Sequence, residues 1–376
     1  MNRKAVLRTL VFVMACGLAA SLPALTDDSA AAIAAGGVVP RRETRIVMAR
    51  EVLQISLKKV VVDYDFRNDT AEDVKTEVAF PVPPYDWGVT SMPPSITSFP
   101  DFRLSIDGKP ASYQSDAKAI INGKDVADIL VADGIDVASF GHADDDVRMG
   151  RDLIRLPEGE KKRLAAMGII DLDNDNNNTA NGYIANWEVH LQYHWTQRFP
   201  AHSTVHIRHE YSPFAGFASY YFRRGDEQKL LDVGKISVDE SKPIPLKPDD
   251  RGDITSFCMG LPLAKSMVSS IHQVLLNNPS DPDLYAEIEF QWVDFILTSA
   301  NTWRRPIEDF TLIVERPKPV NGGKVFVSFC SPGEGAVEKT DVNLFQVHLT
   351  NFVPVSELHI GFFEVPPAKA AQPSVK

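Results

Sequence analysis

The run Trp187-Glu188-Val189-His190-Leu191-Gln192-Tyr193-His194-Trp195 puts an apolar or aromatic side chain at every odd position and a polar one at every even position. A period of two is the mark of a β-strand with one face in a core and the other in water. After Phe199-Pro200-Ala201 the phase resumes in Val205, Ile207 and Tyr211, with His206 and Glu210 on the polar side. The two runs predict a hairpin over 187–211 that buries both tryptophans and sets His194 opposite His206 and His190 opposite Glu210.

Working outward, the same period recurs upstream. Leu53, Ile55 and Leu57, then Val60, Val62, Tyr64 and Phe66, then Val74, Val78 and Phe80 alternate with polar residues. They predict an antiparallel meander with one wet face, stopped by Pro81, Pro83 and Pro84, which cannot continue a central strand. A strand over 102–106 runs into the tight turn Asp107-Gly108. Helical signals enter between about 115 and 168, where Asp125 can cap a short helix and Pro157 opens another that Gly168 closes. Pro243, Pro245 and Pro248 punctuate a charged stretch over 237–253, which reads as a linker. Beyond it come a helix over 261–276 and five short strands, from Ala286, over 310–314, 325–330 and 342–349, and over Leu358–Val365. The expectation is a mainly β, β-rich chain with a helical insertion, built as two antiparallel β-sandwich-like domains. The first spans 27–236 with the insertion at about 115–168, the second spans 254–366, and a disordered tail occupies 367–376.

The chain has 376 residues, 44% of them hydrophobic, and a formal charge of −11 from 50 acidic against 39 basic residues. That acidic excess argues against nucleic acid as a partner, which demands clustered Lys and Arg. Arg3, Lys4 and Arg8 precede an uncharged apolar stretch over 10–20, the pattern of a secretory signal peptide over 1–26 cut after Ser21 or Thr26. The stretch is shorter than the ~20 apolar residues of a membrane span, so the expectation is a periplasmic or secreted protein with no transmembrane anchor after cleavage. The alternative is lipidation at Cys16 within Val13-Met14-Ala15-Cys16. Once the signal leaves, Cys258 and Cys330 remain, and export into an oxidising compartment predicts a disulfide between them, against the alternative of two separate thiols. Closing a loop of that length contributes about 4 kcal/mol in the chain-entropy model.

Several phrases carry a family resemblance. They are Gly36-Gly37-Val38-Val39-Pro40-Arg41-Arg42-Glu43-Thr44, the run Val60–Asn68 leading to Thr76 through Pro84, Trp187 through Trp195 leading to Tyr211-Ser212-Pro213, and Ala300-Asn301-Thr302-Trp303 with Pro306 through Phe310. In these the chain resembles a bacterial exported protein family known as domain of unknown function 4424. The resemblance covers most of the chain after the signal peptide, rests on turns and core aromatics, and implies an exported β-rich protein without implying an activity. The strand end followed by Phe80-Pro81-Val82-Pro83 also resembles the sandwich module of inter-alpha-trypsin inhibitor heavy chains, which supports the sandwich reading.

Candidate chemistry is sparse. His190, His194, His206 and Glu210, if brought together across the expected hairpin, could hold a divalent metal ion such as zinc, copper or nickel; equally, alternation alone points every polar residue away from the core. Asp171, Asp173, Asp175 and Asn177 match alternate oxygen donors of a calcium loop, but Asn176 and Gly182 stand where an EF-hand needs Gly and Glu. His142 beside Asp144, Asp145 and Asp146 is an acid/base candidate or a charged loop. Arg-Gly-Asp occurs at 224–226 and 251–253, a motif short enough to arise by chance. No nucleophile elbow, phosphate loop or dinucleotide glycine motif is present. The reading is therefore a non-catalytic protein without a cofactor, binding an envelope or extracellular component. Its alternative is a secreted hydrolase using dispersed carboxylates or a metal held by the 187–211 histidines.

Overall fold

The computed structural model describes residues 29–34, 37–86, 91–92, 101–138, 151–172, 183–236, 257–276, 284–320 and 322–368. The protein is mainly β, as expected, and its strands form three large sheets and one two-stranded ladder. The front sheet has eight strands, in the order Glu338–Lys339, Leu344–Phe352, Ile307–Glu315, Ile46–Ile55, Val60–Asn68, Ser203–Tyr211, Arg103–Ile106 and Lys109–Pro110. The back sheet has Lys124–Asp125, Gln114–Ile121, Glu188–Phe199, Val74–Pro81, Ser29–Ala34 and Gly37–Pro40, with Tyr85–Asp86 added to Glu188–Phe199. The third sheet runs Lys324–Phe329, Leu358–Val365, Tyr285–Phe295, Ala215–Arg223 and Ser91–Met92.

The hairpin expected over 187–211 is not formed. Glu188–Phe199 lies in the back sheet and Ser203–Tyr211 in the front one, so the turn around Ala201 and His202 carries the chain across the core. His202 takes a positive φ of 51° there, and Asp73 Oδ1 accepts the Ala201 N–H at 2.9 Å. His194 faces Ala79 and Gln114 across its ladders, and His206 faces Asp65. The expected meander is broken in the same way: Ile46–Ile55 pairs with Val60–Asn68, but Val74–Pro81 crosses to the back sheet. Alternation states which face of a strand is buried; it does not state whether the next strand lies beside it or across the core, since both satisfy it.

The region on either side of the expected linker shares one ladder. Ile307–Glu315 pairs in parallel with Ile46–Ile55, the one parallel pairing among the described strands, and so places a strand from the C-terminal third inside the sheet built by the N-terminal one. Residues 237–253 themselves, the signal segment 1–26 and most of the tail 367–376 lie outside the described residues.

The main core is shared by all three sheets and is rich in aromatics: Phe66 packs tilted against Trp303 at 4.6 Å between ring centres, and Phe199 and Trp187 are fully buried with them. A bulge between Met48 and Arg50 shifts the strand's phase, so that Ile46 and Met48 on one side and Leu53 and Ile55 on the other all face inward. The third sheet is covered on its other face by the helices Glu227–Ile236 and Leu261–Leu275. Ala264, Met267, Ile271 and Leu275 repeat at helical spacing and form the buried stripe of the latter. They meet Ala286, Ile288, Phe290 and Trp292, whereas Val293 and Phe295 of the same strand enter the main core. The Trp292 ring lies across Gly216, where an added Cβ would sit 2.0 Å from it. Only glycine allows that approach. Cys258 and Cys330 are joined by a disulfide, which ties the segment leading into Leu261–Leu275 to the end of Lys324–Phe329.

Among the elements not evident in the sequence pattern are the strands Ser29–Ala34, Gly37–Pro40, Gln114–Ile121 and Ala215–Arg223 and the helix Glu227–Ile236; Gln114–Ile121 is a sheet strand at the start of the expected helical insertion, so the helices begin only at Ala127. The helices Ala127–Ala132 and Glu158–Ala166 form near the expected positions, but their N-caps are Val126 and Pro157, neither with a side-chain cap; Asp125, one residue before Val126, accepts the Ala127 N–H on Oδ1 at 3.0 Å.

Candidate functional site

The outward faces of the two strands carry the histidines, and these are engaged within the chain. His194 is buried, 4% exposed, with Nδ1 at 2.8 Å from Glu77 Oε1, while Thr196 Oγ1 donates to Glu77 Oε2 at 2.9 Å. Asp116 Oδ2 stands 3.6 Å from His194 Nε2. His190 Nε2 lies 2.6 Å from Glu188 Oε1. On the front sheet His206 stands between Asp65 at 3.0 Å and Asp63 at 3.3 Å, and Glu210 pairs with Lys59 at 2.6 Å and Arg103 at 2.7 Å. Burial pushes the Glu210 carboxyl up, and Lys59, Arg103 and Arg208 outweigh it, holding the group below the usual carboxylate range. The back sheet thus holds His190 and His194 and the front sheet His206 and Glu210, so the four metal candidates are not brought together. Among the described residues no three His, Cys, Asp or Glu side chains are arranged to hold a metal ion.

Of the calcium candidates, Asp171 sits in the strand Ile170–Leu172 opposite Ile184, and Asp173 and Asp175 lie outside the described residues. His142 with its aspartates and the Arg-Gly-Asp at 251–253 also lie outside them. In the other triplet, Asp226 turns inward on the chain, accepting the Arg223 N–H at 2.9 Å and a Lys229 bond at 2.8 Å.

The inward faces hold what the histidines do not. Between the sheets, where Ser203–Tyr211 ends, a small pocket of about 10 Å³ is bounded by Tyr85, Asp101, Tyr193, Tyr211, Ser212 and Phe214, with Val82 and Leu191 completing its wall; that is the room of about one water. Each part is fixed by its neighbours. Tyr193 stacks on Phe102 at 4.1 Å, Tyr85 stacks on Phe214 at 4.7 Å, and Tyr211 meets Phe80 edge-on at 5.4 Å. Asp101 is clamped by Ser212, whose N–H donates to Oδ1 at 2.9 Å and whose hydroxyl donates to Oδ2 at 2.6 Å.

The hydroxyls around this pocket differ. Tyr85 donates to the Ala138 carbonyl at 3.0 Å, and Tyr113, just behind Tyr193, donates to the Phe102 carbonyl at 2.6 Å. The Tyr211 hydroxyl is equally buried and has no hydrogen-bond partner among the described residues. Burial, and after it the Asp101 charge, pushes the Tyr211 phenol up. Tyr193 is raised by burial first, then by the neighbouring phenols and Asp101. The phenols therefore stay protonated, able to donate as well as accept, beside a carboxylate that has lone pairs to spare.

Sequence reading missed this pocket because Asp101, Ser212 and Phe214 lie at strand ends, outside any alternation. It also passed over His209, an odd-position residue that points into the core, 4.3 Å from Phe80 between ring centres. A polar residue in the apolar phase was the available signal.

The family described as "Domain of unknown function (DUF4424)" matches residues 26–360. A solved structure from Legionella pneumophila, described provisionally as a nutrient binding protein, is similar over 90% of this chain and 72% of its own. Its identity is 12% and its TM-score 0.36, too low to carry that description across. No curated protein matches the chain.

Proposed function

The chain belongs to the DUF4424 family, whose description names no activity, and from that premise we propose that it is an exported, non-catalytic binding protein whose ligand places one water-sized group in the inter-sheet tyrosine pocket. The observation that carries the reading is the buried Tyr211 hydroxyl without a partner. Leaving such a group unsatisfied costs ~1–3 kcal/mol, and native proteins rarely tolerate it without a water, an ion or a ligand to meet it. The wall has the make-up of a binding site: mostly aromatic and apolar, with a few fixed polar groups. Its hydroxyl and carboxylate, Ser212 and Asp101, lack an imidazole among the lining residues to serve as base, which favours binding over acyl transfer.

Export is supported by the basic n-region, the apolar run over 10–20 and the disulfide, which belongs to an oxidising compartment. Mass spectrometry of the mature protein should find its N-terminus between Leu22 and Ala30; an acylated Cys16 at the N-terminus would contradict this.

The binding reading is tested by a thermal-shift screen of small envelope and extracellular metabolites against the wild type and Val82→Phe, which fills the pocket wall. A true ligand at 100 times its Kd stabilises by about 2.7 kcal/mol, and the shift should vanish in Val82→Phe. Turnover of chromogenic esters or glycosides, abolished by Asp101→Asn, would replace this reading with the hydrolase one.

A further inference from the structure

The third sheet runs on past the main core, and the overhang leaves one face open. Odd positions of Tyr285–Phe295 share that face: Val293 and Phe295 enter the main core, Glu289 and Gln291 are half-buried, and Tyr285 and Glu287 are exposed. Ala215–Arg223 sets Tyr221 opposite Glu287 and Ser219 opposite Glu289, and Leu358–Val365 sets Glu364 on the other side of Glu289. The helices pack on the opposite face. Tyr221 and Tyr285, 57% and 47% exposed, are the two exposed aromatic side chains among the described residues. Their rings meet edge to face at 5.2 Å, and the Tyr221 hydroxyl donates to Glu287 Oε1 at 3.1 Å, which fixes the ring beside the carboxylate.

The charge on this face is one-sided. Burial, then the Glu364 and Glu287 charges, pushes the Glu289 carboxyl up, and no basic group offsets them. Arg223, the base on the same face opposite Tyr285, acts on Asp226, whose carboxyl it helps to lower. Exposed rings attract a cation, and uncompensated carboxylates beside them add to that field. An anion would be repelled, and a neutral ligand would gain nothing from the carboxylates. Along a strand, neighbours on one face stand ~7 Å apart, which is also the spacing of every second side chain in an extended peptide.

We propose that the overhang docks an extended basic peptide segment of a partner, with one Lys or Arg side chain against the Tyr221 and Tyr285 rings and the next on the same side of the peptide at Glu289 and Glu364. The inference does not rest on the inter-sheet pocket, which shares no residue with this face.

The test is fluorescence anisotropy of a labelled Lys-Ser-Lys-Ser-Lys peptide titrated with the full mature protein, free of any affinity tag. Labelled Glu-Ser-Glu-Ser-Glu and labelled cellohexaose run in parallel as the acidic and neutral probes. The expected result is saturable binding of the basic peptide alone. Changing Tyr221→Leu and Tyr285→Leu together keeps apolar bulk, removes the rings and should weaken binding at least tenfold; Glu289→Gln should weaken it several-fold. Asp309→Asn, which removes an equal charge from an exposed site on the front sheet, should leave it unchanged, as should Val82→Phe. Near-ultraviolet circular dichroism checks each variant's fold, and Glu289→Gln keeps the test decisive should the double variant unfold. Equal losses in Asp309→Asn and Glu289→Gln would reduce the binding to the overall acidity of the chain and overturn the proposal. Basic-peptide binding that survives the double variant would overturn it too, as would no binding of the peptide at all. Cellohexaose bound in its place, and lost in the double variant, would make the face a sugar platform and overturn the peptide assignment.

Discussion

The outward and inward faces of the strands Glu188–Phe199 and Ser203–Tyr211 treat polar groups in opposite ways. Outside, His190, His194 and His206 each meet a carboxylate of the chain, and Glu210 meets Lys59. Inside, Tyr211 keeps a hydroxyl that meets no hydrogen-bond partner among the described residues. A surface polar group is easily satisfied by a neighbour or by water, so its presence says little about function. A buried one left over has a cost, and that makes it the more informative group.

The largest expected effect lies on the inward face. Trp187→Ala, at a fully buried site, should destabilise by ~3–5 kcal/mol, whereas Arg198→Ala on the outward face, with a side chain 70% exposed, should stay within about 0.5 kcal/mol. Urea unfolding of both variants measures the gap; equal losses would erase the distinction between the faces.

The next comparison separates two outward-facing histidines, one on each sheet. His194→Ala leaves the Glu77 carboxylate, 12% exposed, without its imidazole and should cost ~1–3 kcal/mol. His206→Ala, with a side chain 39% exposed, should cost no more than about 0.5–1 kcal/mol. A larger loss at His206 than at His194 would show that burial does not govern these pairs.

A smaller and sharper contrast is among phenols. Removing the bonded hydroxyl in Tyr85→Phe should cost ~1 kcal/mol, while removing the leftover one in Tyr211→Phe should be neutral or stabilising. Thermal melts of the two unliganded variants decide it. An equal cost for both would mean that Tyr211 is already satisfied.

The smallest effect is in acid. The Glu210 carboxyl is held below the usual range by Lys59, Arg103 and Arg208, against burial. Its folded pKa is lower than its unfolded one, so its contribution is present above the unfolded carboxylate range and is lost as pH falls through the folded pKa. Glu210→Gln should therefore flatten the acid limb of the stability profile and leave the alkaline limb unchanged.

The inward and outward residues of most strands were legible from alternation: Trp187, Val189, Leu191, Tyr193 and Trp195 are all buried as their odd positions predict. Sheet membership was not legible, because Ser203–Tyr211 satisfies the same pattern whether it lies beside Glu188–Phe199 or across the core from it. That ambiguity is what joined His194 to His206 on paper and separated them in space. The disulfide was legible from Cys258 and Cys330 once export was expected. The pocket was not, since Asp101 and Ser212 meet across 111 residues of chain and no local spacing records it.

Tyrosine-selective carbon labelling with NMR titration of a ligand from the metabolite screen tests the central claim most directly. The account predicts chemical-shift changes at Tyr85, Tyr193 and Tyr211, with the exposed pair Tyr221 and Tyr285, 57% and 47% accessible, unmoved. Changes at Tyr221 and Tyr285, with the pocket tyrosines still, would contradict it.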